Sequence, residues 1–192
     1  MHLLSKDYYP LATPLESAFD ASDVLVEELD LGELASPRAQ ELMLSRGVLP
    51  PGESLPALVS PTTFDRVSRR VAALGLPIDA MAHFKPWSLA LTLLAVEWQK
   101  AGFDANLGLD RHFYDRARTA GKTVEGLETL EFQLSRFDGM SRDQQDRLLA
   151  ETLDELNTQT SAVVQLADAW RTGDAAAVEA VVLRDVTHDA DL

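Results

Sequence analysis

From residue 121 the chain reads Gly121-Lys122-Thr123-Val124-Glu125-Gly126-Leu127-Glu128-Thr129-Leu130-Glu131, and this stretch constrains the fold more than any other. Lys122 to Leu127 predicts a short strand after the helix breaker Gly121. Gly126 lets the backbone turn closely, and Glu128 stands where the strand ends and a helix begins. Open α/β sheets place their ligands at such points, just beyond the carboxyl ends of strands. A carboxylate there can bind a metal, move a proton or cap the helix N-terminus, and the residues alone leave all three open.

A second strand is read at Val24-Leu25-Val26-Glu27-Glu28-Leu29-Asp30-Leu31. Its first half is a continuous apolar run, as in a parallel-sheet strand buried on both faces. Its second half alternates acidic and apolar residues, which clusters carboxylates at the carboxyl end. Strand periodicity sets Glu28 and Asp30 on one face and Glu27 on the other. Such a group is either a solvated strand end or a pair of oxygen donors for a cation.

Helices fill most of the remainder. Ser36-Pro37, Ser60-Pro61, Pro77 and Pro86 start helices that end near Gly47, Gly75, Met81 and Gly102. Asp110 reads as the N-cap of a helix to Ala120. Ser141-Arg142-Asp143-Gln144 matches a capping box. From there Leu149, Leu153, Leu156, Thr160, Val163, Ala167 and Trp170 fall on one stripe. A helix from Ser141 to Arg171 would be roughly 45 Å long, more than a small core can cover. Part of it is therefore expected to pack on something else, which points to a homo-oligomer or a partner-bound protein. Gly173-Asp174 begins a final helix near Ala175 to Leu183, and the tail from Thr187 is expected to fray. The predicted fold class is helix-rich α/β, with a small mostly parallel sheet flanked by helices and long C-terminal helices.

Composition narrows the functions. A chain of 192 residues with 46% hydrophobic side chains suits one folded domain rather than disorder. With 31 acidic against 17 basic residues, the net charge is −14. That repels phosphate backbones and anionic leaflets, so neither nucleic acid nor such a membrane surface is an expected partner, whereas metal cations are compatible. Cysteine is absent, which removes thiolate ligands and cysteine nucleophiles. The greasiest segment, Trp87 to Trp98, is short of the roughly 20 residues a membrane-spanning helix needs. No secretory signal is read at Met1-His2-Leu3-Leu4. His2 itself reads most simply as a frayed terminal residue. HExxH, GxSxG, P-loop and GxGxxG patterns do not occur.

Taken in order, several pieces resemble one family. They are a histidine before Tyr9-Pro10-Leu11, then Ala21-Ser22-Asp23 leading to Glu28-Leu29-Asp30, then Lys85-Pro86-Trp87 and Gly108-Leu109-Asp110, and finally Gly126-Leu127-Glu128-Thr129 with Glu131-Phe132-Gln133-Leu134. Their order and spacing, from His2 to about Trp170, resemble the TraB/GumN family, which includes TIKI-type membrane-tethered metalloproteases. The resemblance implies a metal-dependent hydrolase, peptidase-like, with a divalent metal ion as cofactor and a peptide or protein substrate. It implies His2, Glu28 and Glu128 as metal ligands and Glu28 and Glu128 as catalytic residues, with Asp110 and Lys85 supporting them from behind. Periplasmic or exported localisation is implied in the same way. The family's second GxxH motif has no match after Gly173. The chain is thus expected to be one domain over residues 1–192, corresponding to the amino-terminal two-thirds of the family's and incomplete at both ends. The alternative expectation is a catalytically incomplete regulatory or protein-binding module.

Overall fold

The computed structural model describes residues 1–158 and 160–183. Strand β1 (Val24–Glu27) pairs in parallel with β2 (Thr123–Gly126), Val24 lying opposite Thr123 and Glu27 opposite Gly126. Among the described residues these two strands are the whole sheet. Helix α1 (Thr13–Ala21) leads into β1. The crossover to β2 carries α2 (Leu31–Leu34), α3 (Pro37–Gly47), α4 (Pro61–Ala73), α5 (Ile78–Met81), α6 (Pro86–Lys100) and α7 (Leu109–Ala120). After β2 come α8 (Leu130–Asp138), α9 (Arg142–Thr158), α10 (Thr160–Thr172) and α11 (Ala175–Val182). The helix-rich α/β class is as the sequence predicts.

Local chemistry accounts for the helix ends. Ser36 and Ser60 accept hydrogen bonds from the Ala39 and Thr63 amides, with proline at the first helical position after each. The Ser141 amide donates to the Gln144 side chain at 2.8 Å while the Gln144 amide donates back to the Ser141 hydroxyl, a reciprocal capping box. Gly121 closes α7 in the left-handed region, at φ 69°, and aims the chain into β2.

The strands are shorter than predicted, and β1 is not buried on both faces. Val24 and Val26 are 42% and 52% exposed, because α7 covers only the face carrying Leu25 and Val124. The ladder nevertheless continues past the strand ends. The Leu127 amide donates to the Glu27 carbonyl at 2.8 Å and the Glu128 amide to the Glu28 carbonyl at 3.0 Å. Gly126 permits this crossing, since a Cβ there would press on the Asp30 amide and the Glu128 carbonyl.

Two further expectations are corrected here. The stripe read on the C-terminal helices is covered by the chain itself. Leu149 and Leu153 are buried with Val67 and Val71 of α4 and Leu89 and Leu93 of α6, and Leu156 packs against them. Ala167 and Trp170 pack in a different cluster, with Leu4, Tyr8 and Phe103. The stripe therefore gives no ground for self-association, because two cores divide it. The side chains of Thr160 and Val163, and the tail from residue 184, lie outside the described residues. The amino terminus, expected to fray, is held. Leu4 is fully buried and bridges Asp104 in both directions, at 3.4 and 2.9 Å, and the Leu109 amide donates to the Met1 carbonyl at 2.9 Å.

The central cluster predicts the cost of breaching it. Leu153→Ala should destabilise the protein by about 2–5 kcal/mol in urea unfolding. Leu153→Glu should unfold it rather than dissociate an oligomer, which circular dichroism with sedimentation analysis checks.

Candidate functional site

Parallel pairing brings the carboxyl ends of β1 and β2 together, and with them Glu28 and Glu128. The side-chain amide of Gln133, in the first turns of α8, donates to Glu28 at 2.5 Å and to Glu128 at 3.2 Å. Two like charges sharing one donor nitrogen stand far closer than the Debye length, ~10 Å at 0.1 M salt. Glu128 is not the helix cap: Thr129 takes that role, accepting from the Phe132 amide. The Glu128 side chain is thereby free of the α8 terminus.

His2 joins from the opposite side. Its backbone lies across Gly108, where any Cβ would collide with the His2 carbonyl. This close approach sets the imidazole between two carboxylates, Nδ1 lying 2.8 Å from Asp110 and Nε2 3.6 Å from Glu28. Gly108, rather than Asp110, is the N-cap of α7, and the Asp110 carboxylate, in the first turn, pairs with His2. The hydrogen bond from His2 and its charge pull the Asp110 carboxyl below the usual range. In return the Asp110 bond raises the His2 imidazole, against the effect of burial. A histidine oriented by a carboxylate at one nitrogen, with the other turned to a second carboxylate, is the usual environment of a metal-ligating or proton-shuttling imidazole.

Of the predicted site residues, His2, Glu28, Asp110 and Glu128 come together. Lys85 does not. Its ammonium pairs with Asp138, which Arg46 also holds at 3.2 Å, so it fastens the start of α6 to the end of α8. Asp30, read beside Glu28 on one strand face, instead caps α2 through the Gly32 amide at 2.7 Å, because the chain leaves the strand after Glu27.

Two residues were missed. Gln133 was legible only as part of a motif; its role depends on α8 folding back over the strand ends. Glu27 is the more telling. It is 7% exposed, and neither carboxylate oxygen has a hydrogen-bond partner. Burial, with the nearby charges of Asp110 and Asp30, pushes its carboxyl up to about 7. It lines a cavity of about 260 Å3 together with His2, Glu28, Asp110 and Gln133, closed on its apolar side by Leu29, Leu31 and Leu34. A larger hollow, about 580 Å3, lies by Phe19, His112 and Arg116. Its cations are already engaged, Arg116 with Glu16 and Asp20 and Lys122 with the carbonyls ending α1.

As donors, an imidazole backed by Asp110 and several carboxylates suit a divalent ion in kind. In placement they do not yet close around one: among the described residues no group of three or more such side chains is positioned to hold an ion.

Two titrations test this geometry. The His2 imidazole, followed by proton NMR, should titrate above the ordinary histidine value and fall toward it in Asp110→Asn. For Glu27 the folded state keeps a proton that the unfolded chain releases between about pH 4.5 and 7. Stability should therefore fall as pH rises through that window and remain lowered above it. Glu27→Gln should remove that loss, gaining up to about 3 kcal/mol over wild type at pH 8 and little at pH 4, as urea unfolding at the two pH values would show.

Two curated relatives, each named Uncharacterized protein YbaP, from Escherichia coli (strain K12) and Shigella flexneri, are each 26% identical over 170 residues. The match covers 88% of this chain and 61% of each relative, so the chain spans less than two thirds of their length. No solved structure matches it. The family model of the TraB/PrgY/gumN family matches residues 1–191, and the chain belongs to that family.

Proposed function

We propose that the chain carries the histidine–carboxylate part of a divalent-metal-dependent hydrolase site, peptidase-like in its chemistry. The observation that carries this reading is the meeting of His2, Glu28, Asp110 and Glu128 at the ends of two parallel strands. His2, Glu28 and Glu128 are the residues that would hold the ion. Such an ion, when bound, polarises a carbonyl and lowers the pKa of its water.

The remaining work belongs to the chain's own groups. Asp110 fixes the ring of His2 through Nδ1 and leaves Nε2 turned toward Glu28. Gln133 holds Glu28 and Glu128 side by side, orienting both and offsetting their repulsion. Leu29, Leu31 and Leu34 limit water on one side of the cavity, which strengthens every charge interaction within it. The net charge of −14 favours cations approaching this surface.

A second reading, a protein-binding module without catalysis, draws on the open side of the sheet. Val24, Val26 and Leu127, the last 75% exposed, are apolar side chains beside strand edges that carry no further strand among the described residues, which suits a protein partner or a second copy of the chain. Among the described residues no helix is long and apolar enough to cross a membrane.

The two readings part in one experiment. Calorimetry with MnCl2 should give one bound ion per chain, weakened at least about tenfold in His2→Ala. Unfolded casein should be cleaved only with the ion present, and cleavage should vanish in Glu28→Gln. Neither stoichiometric binding nor cleavage in wild type would leave the binding-module reading standing.

A further inference from the structure

Strand β2 has an outer edge with no third strand beside it among the described residues. The direction of its free peptide groups follows from the ladder. The Leu127 amide donates to the Glu27 carbonyl, and bonding in a parallel pair alternates along each strand. The peptide groups of Thr123, Glu125 and Leu127 therefore turn toward β1, and those of Val124 and Gly126 turn outward. Among the described residues neither Val124 nor Gly126 has a backbone partner on that side. Gly126 is exposed, and since it carries no side chain, what solvent reaches there is the backbone itself. Outward-facing amides and carbonyls of this kind are what an added strand pairs with.

The side chains beside this edge say what would pair. Thr123, Glu125 and Leu127 alternate along the open face of the sheet, all of them exposed. Among the described residues Glu125 has neither an ion pair nor a hydrogen bond. Lys122, three positions earlier, gives its ammonium to the carbonyls of Phe19, Asp20 and Ser22, and the Arg136 guanidinium lies over the Phe132 ring. A second copy fits poorly. The antiparallel register that pairs Val124 with Gly126 sets Glu125 directly opposite its own copy, and like charges so placed are destabilising. Two chains of net charge −14 also repel at longer range. A lysine or arginine opposite Glu125 reverses both effects, and an apolar side chain two positions away from it meets Leu127.

We infer that the outer edge of β2, from Thr123 to Leu127, docks an extended segment of a partner protein as a third strand, with a basic side chain of that segment on Glu125 and an apolar one on Leu127. The Val124 and Gly126 peptide groups supply the main-chain bonds, and the open-face side chains select the partner. The inference rests on the protein-binding reading above and names its edge and the chemistry of its partner. It needs no metal ion, so it stands apart from the site at the carboxyl ends of the strands.

The test uses the whole chain and a capped peptide, Leu-Thr-Lys-Thr-Leu, whose symmetry lets lysine meet Glu125 and a leucine meet Leu127 in either strand direction. Two further peptides are controls, one with glutamate in place of lysine and one fully N-methylated, which keeps the charge but has no N–H to donate. On adding the lysine peptide, amide hydrogen exchange read by NMR should slow at least about fivefold at Val124 and Gly126 and stay unchanged at Val24 and Val26. Both controls should bind at least about fivefold more weakly, and Glu125→Lys, a change at an exposed position, should turn the preference toward the glutamate peptide. Slowing at Val24 and Val26 instead, equal binding of either control, or an unchanged preference in Glu125→Lys would overturn the inference and leave a binding module that uses another surface. Slowing at Val124 and Gly126 that grows with protein concentration in the absence of peptide would assign the edge to a second copy and overturn it as well. If none of the three peptides perturbs any amide, the protein-binding reading fails together with the inference.

Discussion

The parallel ladder between β1 and β2 is the constraint on which the rest of the site depends. Backbone pairing fixes Val24 opposite Thr123 and Glu27 opposite Gly126, and it runs on through the Leu127 and Glu128 amides. Register in a ladder is all-or-none: a slip by one residue would exchange the two faces. Here it would turn Glu27 out of the core and carry Glu128 away from Glu28. A two-stranded parallel pair is weak by itself, so its stability comes from α7 on one face and from the helical crossover that α6 and α9 pack into a core.

A second dependency is the amino terminus. His2 would be an ordinary frayed residue were the following segment not pinned by Leu4 in the core and by backbone bonds to Asp104 and Leu109. Ordering a residue costs about 1–2 kcal/mol in conformational entropy, and the burial of Leu4 and Tyr8 in one cluster offsets it. Gly108 makes the contact possible, since only a residue without Cβ lets the His2 backbone lie against the start of α7. The same glycine is the N-cap of α7, and Asp110, in the first turn, pairs with the imidazole.

The site is built against stability in one respect. Gln133 satisfies Glu28 and Glu128, and Asp110 and His2 satisfy each other, but Glu27 stays buried and unpartnered. Cores elsewhere in the chain show the opposite economy, with Leu55, Leu89, Leu93 and Leu149 fully buried among aliphatic neighbours. Departures from local consistency concentrate where function asks for them.

Much of the architecture was legible along the chain because its causes are local. Ser-Pro caps, the Ser141–Gln144 box, the left-handed Gly121 and the carboxylates after both strands act within a few residues of themselves, so helix limits and the pairing of Glu28 with Glu128 could be read in advance. The order of motifs likewise pointed to the TraB/PrgY/gumN family, and Asp110, singled out by the same resemblance, lies against His2. What only the tertiary structure decided was non-local. Which face of β1 is covered depends on where α7 lies, so Glu27 became the buried residue although its immediate neighbours in the chain resemble a solvated strand end. Lys85 went to Asp138 because α8 ends beside α6. The stripe of α9 and α10 was shared between two cores, and His2 was fixed by a glycine 106 positions away in the chain. Periodicity names the face a residue shares with its neighbours in its own element, but packing decides what that face meets.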